Sequence, residues 1–135
     1  MLSKAIAWQA PFTLPFTATT NAAILTSPNV ALWLAEVDCE ILFAAEMHET
    51  LGTNGSAVTL DVVKVADGTA IASGTSLLAS TFNLKATVAT RQTRSLSAGT
   101  LATDRILYSG QTLGIKFSGT LTAVTGVCVS VVLRR

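Results

Sequence analysis

The C-terminal stretch of residues 110–135 constrains the fold more than any other part of the chain. Apolar residues alternate with small or polar ones over 113–118 and again over 127–134, and this period of two is typical of half-buried β-strands. Gly119 and Gly126 interrupt the alternation between the two runs. Two strands cannot bury their apolar faces alone, so the other residues must supply a second sheet or neighbouring chains must cover them.

Strand-like runs separated by turn signals continue upstream of this stretch. Residues 58–62 and 82–88 alternate in the same way, and Asn54-Gly55 and Asp67-Gly68 are turn dipeptides that tolerate positive φ. Short strands at this spacing, without a convincing long helix, predict an all-β fold. We expect an antiparallel β-sandwich or jelly roll over residues 29–135.

Residues 1–28 differ from the rest and predict an extended N-terminal arm. Trp8, Phe12 and Phe16 are interspersed with Pro11 and Pro15. Proline cannot donate a hydrogen bond to a sheet, so this stretch is not expected to form a central strand. An arm with three aromatic rings is expected to be docked, either over the domain's own sheet or across a neighbouring chain.

Charged residues are scarce in this chain. Half of the 135 residues are hydrophobic, 13% are charged and the mean hydropathy is +0.54, whereas soluble domains carry about 25% charged residues. One domain of this length cannot bury so much apolar surface, so we expect contacts between chains. The net charge of +1 gives no electrostatic case for nucleic acid or membrane partners. Prolines within the uncharged run of residues 5–35 argue against a transmembrane helix and a secretion signal.

The charges are also segregated along the chain. Residues 1–61 contain six acidic residues and one lysine, and residues 62–135 contain eight basic residues and two acidic ones. This pattern favours pairing of the two halves within one domain. Pairing between subunits is the alternative.

Residues able to carry catalysis or bind a metal are few. His48 is the only histidine, so a single chain cannot form a multi-histidine metal site. We interpret it as a surface or interface residue rather than as a metal ligand together with Glu46 and Glu49. The chain has no phosphate-binding glycine loop and no nucleophile motif beside a serine. We therefore predict no enzyme activity, no metal and no cofactor.

An acidic run is the other candidate for chemistry. Glu36, Asp38 and Glu40 alternate with apolar residues within a strand predicted over residues 30–51, in which a phase change near residues 35–36 indicates a bulge or bend. Carboxylates at this spacing could bind calcium or act in a glycosidase. We interpret them as solvated acids that balance lysine or arginine across the sheet, which is the commoner arrangement.

Two cysteines leave the redox state open. Cys39 and Cys128 both lie among apolar neighbours, which favours buried free thiols over a disulfide. The sequence alone does not decide between the two.

The order of turns and strands resembles that of small jelly-roll decoration, or cement, proteins of tailed bacteriophages. The stretches that carry the resemblance follow one another over residues 30–135: Gly52-Thr-Asn-Gly-Ser56, Asp67-Gly68-Thr69, Leu77-Leu78 with Phe82-Asn83-Leu84, Gly110-Gln111-Thr112-Leu113, Ser118-Gly119-Thr120-Leu121 and Val127 to Leu133. It rests on turn placement rather than on a chemical motif. Trimeric tail-fibre knobs share much of this order of turns and strands.

This resemblance implies a structural virion protein without catalytic residues. Such a protein would sit on the capsid exterior as a homotrimer, bridge neighbouring major capsid subunits and stabilise the head. Trp8, Phe12 and Phe16 would then be candidates for the capsid or subunit interface, because aromatic side chains dominate interface energetics. The alternative is a trimeric fibre knob that recognises a host glycan, for which Trp33 and Tyr108 are the available aromatics. A hydrolase that uses the acidic run is the third possibility.

Overall fold

The computed structural model describes residues 10–53, 56–96 and 105–135, and within them the chain is almost entirely β. Two antiparallel sheets face each other, which confirms the predicted β-sandwich. Sheet A contains β1 (Phe12–Ala18), β10 (Val127–Arg134), β3 (Cys39–Met47), β7 (Gln92–Arg94) and β8 (Ile106–Leu107). Sheet B contains β2 (Asn29–Leu34), β9 (Thr112–Ser118), β4 (Thr59–Val65), β5 (Thr75–Ser76) and β6 (Phe82–Asn83). Two short helices complete the described elements, α1 (Asn21–Thr26) and a 3-10 helix (Ile71–Ser73).

The strands pair in a nested order. The first strand pairs with the last, β1 with β10, and the second with the last but one, β2 with β9. Next in each sheet come β3, beside β10, and β4, beside β9, so the first four strands alternate between the sheets. Interleaved hairpins of this kind support a jelly roll, which stays a prediction.

The core follows the alternation that the C-terminal stretch predicted. The inward residues of β9 and β10 are at most 4% exposed: Leu113, Ile115, Phe117, Val127, Val129, Val131 and Leu133. In sheet B they lie beside Leu60 and Val62, which pair with Phe117 and Ile115 and are fully buried. Each buried side chain of this size stabilises the fold by about 1.5–3 kcal/mol relative to an exposed one.

The strand predicted over residues 30–51 is wrong in its middle. β2 ends at Leu34 in sheet B and β3 begins at Cys39 in sheet A, so residues 35–38 cross between the sheets. Ala35 and Cys39, each 1% exposed, fix the two ends of this crossing. The exposed residues between them reproduce an alternating pattern without being in a strand, and Val37 is 44% exposed rather than inward.

β1 lies at one edge of sheet A, as its prolines predict. Pro15 stands at the middle of the strand, opposite Ser130 of β10. Residues 21–26 then form α1, a helix that the prediction of an extended arm did not include. Thr20 caps this helix, and the Asn21 side chain donates hydrogen bonds to the carbonyl oxygens of Leu121 and Val124. The division into an arm of residues 1–28 and a domain of residues 29–135 stays a prediction.

Charges of the two halves of the chain meet within the domain. Glu40 of β3 forms an ion pair with Arg134 of β10, with 2.5 Å between Oε2 and Nη2. Asp61 of β4 lies opposite Lys116 of β9. These pairs are what the intramolecular interpretation of the charge pattern predicts.

No helix of the described residues combines the length and the hydropathy needed to span a membrane.

Candidate interaction surface

The outer faces of the two sheets are covered to different extents. The connection between β4 and β5 folds back over sheet B, where Ile71 lies over Gly114 so closely that a Cβ there would meet its side chain at 2.7 Å. The same connection covers Val63 and Val65, which are 1% and 5% exposed although they point away from the main core. The chain itself therefore covers the part of the outer face of sheet B around Val63, Val65 and Gly114.

None of the described residues covers the outer face of sheet A, which we call the open face. The register of β1, β10, β3 and β7 places its residues on the side opposite the buried valines: Thr13, Pro15, Thr17, Phe43, Ala45, Met47, Thr93, Cys128, Ser130 and Val132. Cys128 is exposed and Met47 is 37% exposed, whereas Phe43, Ser130 and Val132 are half-buried. None of the ten residues is charged.

The charges near the open face stand at its margins. The Glu40–Arg134 ion pair marks one end. Towards the other end, Arg91 lines a cavity of 160 Å³ together with Met47, Cys128 and Ser130. An outer face of a solvated antiparallel sheet normally carries polar and charged side chains. We therefore take the open face as the candidate interaction surface.

Among the described residues, the outer edge of β1 is unpaired, and it is poorly suited to pairing with a strand of another chain. Pro15 has no N–H, so at the middle of the strand the edge lacks a donor that an added strand would need. Proline on an edge strand is one of the devices that prevent edge-to-edge association. The edge of β1 is therefore not the candidate interaction surface.

The aromatic residues predicted as interface anchors pack on their own chain where the structure describes them. The Phe12 ring lies 5.7 Å from the Trp33 ring in an edge-on arrangement, and the Arg135 guanidinium lies 5.5 Å from the Phe12 ring. The Phe16 ring lies 6.2 Å from that of Phe117. Both phenylalanines are half-buried against the core, and Trp8 lies outside the described residues. Their role at an interface stays a prediction.

A separate apolar cavity lies where β1, α1 and β2 meet. It has a volume of 450 Å³ and is lined mainly by Phe16, Ala22, Ile24, Val30 and Phe117. Phe16 therefore contributes to the wall of this cavity.

A second cavity brings Trp33 together with charged groups. It has a volume of 310 Å³ and is lined by Trp33, Leu34, Glu36, Val37 and Arg135. Among the described residues, the Glu36 carboxylate has no hydrogen-bond or ion-pair partner. Of the acidic run, only Glu36 lines this cavity. Asp38 instead accepts a hydrogen bond from the Ser109 backbone N–H at 2.8 Å.

The predicted surface position of His48 is wrong, because the residue is fully buried. Its Nδ1 lies 2.9 Å from Oε1 of Glu46, which is 1% exposed, and its Nε2 lies 3.1 Å from the Ala86 carbonyl oxygen. The other Glu46 oxygen, Oε2, accepts a hydrogen bond of 2.8 Å from the Gln92 side chain. The sequence signal was present, since residues 46 and 48 share a face in an alternating run.

Burial raises the pKa of the Glu46 carboxyl above its usual value, although hydrogen bonds from His48 and Gln92 and the charge of Arg94 oppose the shift. Glu49 is exposed and lies apart from this pair, beside Gly126. No group of three or more His, Cys, Asp or Glu side chains in the described ranges could hold a metal ion.

The two cysteines are free thiols in different environments. Cys39 is buried, and this burial raises the pKa of its thiol, opposed by the charge of Arg135. Cys128 is exposed on the open face, so the expectation that both thiols are buried is wrong for this residue.

Comparison with known proteins gives one similar solved structure to report. No protein-family model matches the chain, and no curated protein matches it significantly. A chain of the structure titled "Cyanophage Pam1 capsid asymmetric unit" is similar over 92% of this chain and 81% of that chain, with a TM-score of 0.46 and 15% sequence identity. Similarity at this level does not assign a function.

Proposed function

We propose that this chain is a non-enzymatic structural protein of a bacteriophage virion, a homotrimeric jelly roll that decorates the capsid exterior and bridges neighbouring major capsid subunits. The observation that carries the proposal is the open face, which is uncharged and which none of the described residues covers, whereas residues 71–74 cover part of the outer face of sheet B. The kind of assembly, a homotrimer on the capsid exterior, is what the resemblance of residues 30–135 to phage decoration proteins implies.

The size of the open face favours an assembly with many contacts. Strands spaced about 4.8 Å apart, with a rise of about 3.3 Å per residue, give this face roughly 300–400 Å². A stable pairwise interface uses about 800 Å² on each partner. Contacts of half that size become strong when a closed oligomer presents several of them at once to a repeating lattice.

The buried acid–base pair is consistent with the absence of enzyme activity in this proposal. Both ring nitrogens of His48 and both carboxylate oxygens of Glu46 are directed at partners within the protein. Neither side chain therefore presents a free proton donor or acceptor to a substrate.

Light scattering coupled to size-exclusion chromatography, followed by co-sedimentation with phage heads, tests the proposal. We expect the full chain to elute as a trimer and to bind heads at saturable occupancy. A chain that begins at residue 10 lacks Trp8 but keeps all of β1, so it measures the contribution of residues 1–9 of the arm. If the arm grips a neighbour, this variant loses trimerisation or head binding while its unfolding midpoint stays unchanged.

Truncation beyond residue 9 would not answer the same question. Residues 12–18 pair with β10 along the whole strand, and Phe16 packs on Phe117. Their removal would uncover the core. A full-length chain that remains monomeric at micromolar concentration and does not bind heads would contradict the proposal.

A second function is favoured by the cavity beside Trp33. An indole, an unpaired carboxylate and a guanidinium around 310 Å³ match the chemistry that holds a saccharide, since the ring packs on C–H groups and the ions bind hydroxyls. A glycan-recognising fibre knob would use an aromatic and polar cluster, although Trp33 lies in β2 rather than at a loop tip.

A glycan array separates the two functions, with Glu36→Gln as the diagnostic variant. Glu36 is exposed on the crossing between the sheets, so the substitution should leave stability within about 0.5 kcal/mol. A saccharide site predicts binding by the native chain and at least about tenfold weaker binding by the variant, because a charge-assisted hydrogen bond contributes about 1.5–3 kcal/mol. Asp38→Asn, a substitution of an acid on the same crossing but outside the cavity, is the matched control. An array without signal removes this candidate.

A further inference from the structure

The Glu46–His48 pair lies at the junction of β3 with the segment of residues 83–94. The His48 carbonyl oxygen accepts a hydrogen bond of 2.9 Å from the Ala89 backbone N–H, and the His48 ring reaches the Ala86 carbonyl oxygen. Gln92 donates both to Glu46 and to the Asn83 carbonyl oxygen, each at 2.8 Å. The two side chains therefore join β3 to both ends of this segment.

The hydrogen bonds fix the number of protons that the pair carries. A carbonyl oxygen only accepts, so Nε2 of His48, facing Ala86, must carry a hydrogen. Nδ1 of the same ring faces a carboxylate oxygen at 2.9 Å, and this contact needs a second hydrogen, either on the ring or on the carboxyl group. Without it, a lone pair would face an ionised oxygen in the core. Whether that hydrogen is on the His48 ring or on the Glu46 carboxyl group, the pair has no net charge.

We propose that Glu46 and His48 share one proton in the interior of the domain and that this proton fastens the 83–94 segment to β3, forming a latch that alkaline pH releases. The proposal is independent of the proposed function. The charged or titratable groups around the pair are Arg94, whose Nη2 donates to Gln92, and Arg91 and Cys128, which line the neighbouring cavity with Glu46. The nearby Lys85 points away, donating to the Ser56 carbonyl oxygen. From β10, the residue opposite Glu46 is Val129, which does not titrate.

The direction of the pH effect follows from counting protons. In the unfolded chain a hydrated glutamate holds no proton above about pH 5.5 and a hydrated histidine almost none above about pH 7.5. The folded pair still holds one, so the folded state binds more protons and stability falls as pH rises. The raised pKa of Glu46 has the same sign, because its contribution is complete below the unfolded value and is lost as pH rises through the folded one.

Urea unfolding of the full chain at several pH values tests the latch. The folding equilibrium constant of the native protein is expected to fall by nearly tenfold per pH unit above about pH 7.5. Glu46→Gln should remove most of this slope. The glutamine amide can donate to Nδ1 while its oxygen still accepts from Gln92, so His48 needs no second proton. Glu49→Gln removes the same charge from an exposed site nearby and should keep the native slope.

Cys39 is not expected to confuse the comparison. Burial raises the pKa of the Cys39 thiol, so this thiol also makes the folded state less stable as pH rises. Its effect is the same in the native protein, Glu46→Gln and Glu49→Gln. Equal slopes for the native protein and Glu46→Gln would overturn the proposal.

A measurement on the native protein alone covers the case in which Glu46→Gln fails to fold. The Ala89 amide, which donates to the His48 carbonyl oxygen, reports whether the segment stays attached to β3. Its protection from hydrogen exchange should fall as pH rises above about 7.5, once the shared proton leaves. Undiminished protection of Ala89 up to about pH 9 would also overturn the latch.

Discussion

Gly119→Ala is expected to lower the free energy of unfolding by about 3 kcal/mol, whereas Gly110→Ala lowers it by about 1 kcal/mol. Both glycines have φ near +90°, at +91° and +88°, so an alanine incurs the left-handed penalty of roughly 1–2 kcal/mol at either site. They differ in their surroundings. A Cβ at 119 would overlap the Ala57 carbonyl oxygen and approach the Val58 Cα within 3.2 Å, while at 110 nothing lies within 4 Å.

The added cost at Gly119 arises because the obstacle is backbone. A side chain could rotate away, but residues 57 and 58 lead directly into β4, whose Thr59 pairs with Ser118 of β9. Relieving the overlap must therefore shift two paired strands, and overpacking of this kind costs about 1–3 kcal/mol. Urea denaturation of the two variants measures the difference. Equal midpoints would mean that the approach of residues 57–58 to Gly119 is not a constraint on the fold.

Period-two alternation predicted the strands well wherever one side of a strand is buried and the other is not. β9 and β10 are such strands, and their inward residues were identified from the sequence alone. The pattern failed at residues 35–38, because a segment that crosses between two sheets also buries its ends and exposes its middle. It failed again at residues 84–88, since only Phe82–Asn83 of that alternating run form a strand. Alternation reports burial, and burial is not unique to strands.

The interaction surface was less accessible to sequence reasoning because it depends on distant contacts. Val63 and Val65 in β4 have the composition of an outward apolar patch, and only the fold shows that residues 71–74 cover them. The sequence also singled out Phe12 and Phe16 as interface candidates but could not show that Trp33 and Phe117, far away in sequence, pack against them. Tertiary packing decides which apolar residues remain exposed on the folded domain.

Ser130→Glu is expected to abolish assembly through the open face without unfolding the domain. Ser130 lies at the centre of that face, between Pro15 and Ala45, and is half-buried. In the isolated domain a glutamate there can extend into water, so the unfolding midpoint should change little. In a docked assembly the same carboxylate is desolvated without a partner, which costs about 2 kcal/mol or more, or roughly 30-fold in the dissociation constant.

Symmetry enlarges this effect. Every subunit of a closed oligomer carries the substitution, so each contact with the lattice weakens at once and the avidity is lost multiplicatively. Ser118→Glu places the same charge at an exposed position on the outer side of sheet B and should leave assembly unchanged. Light scattering and head co-sedimentation of the two variants locate the docking side. If Ser118→Glu blocks assembly and Ser130→Glu does not, the contact is made by sheet B, and the uncharged face of sheet A must then be stable in water as it stands.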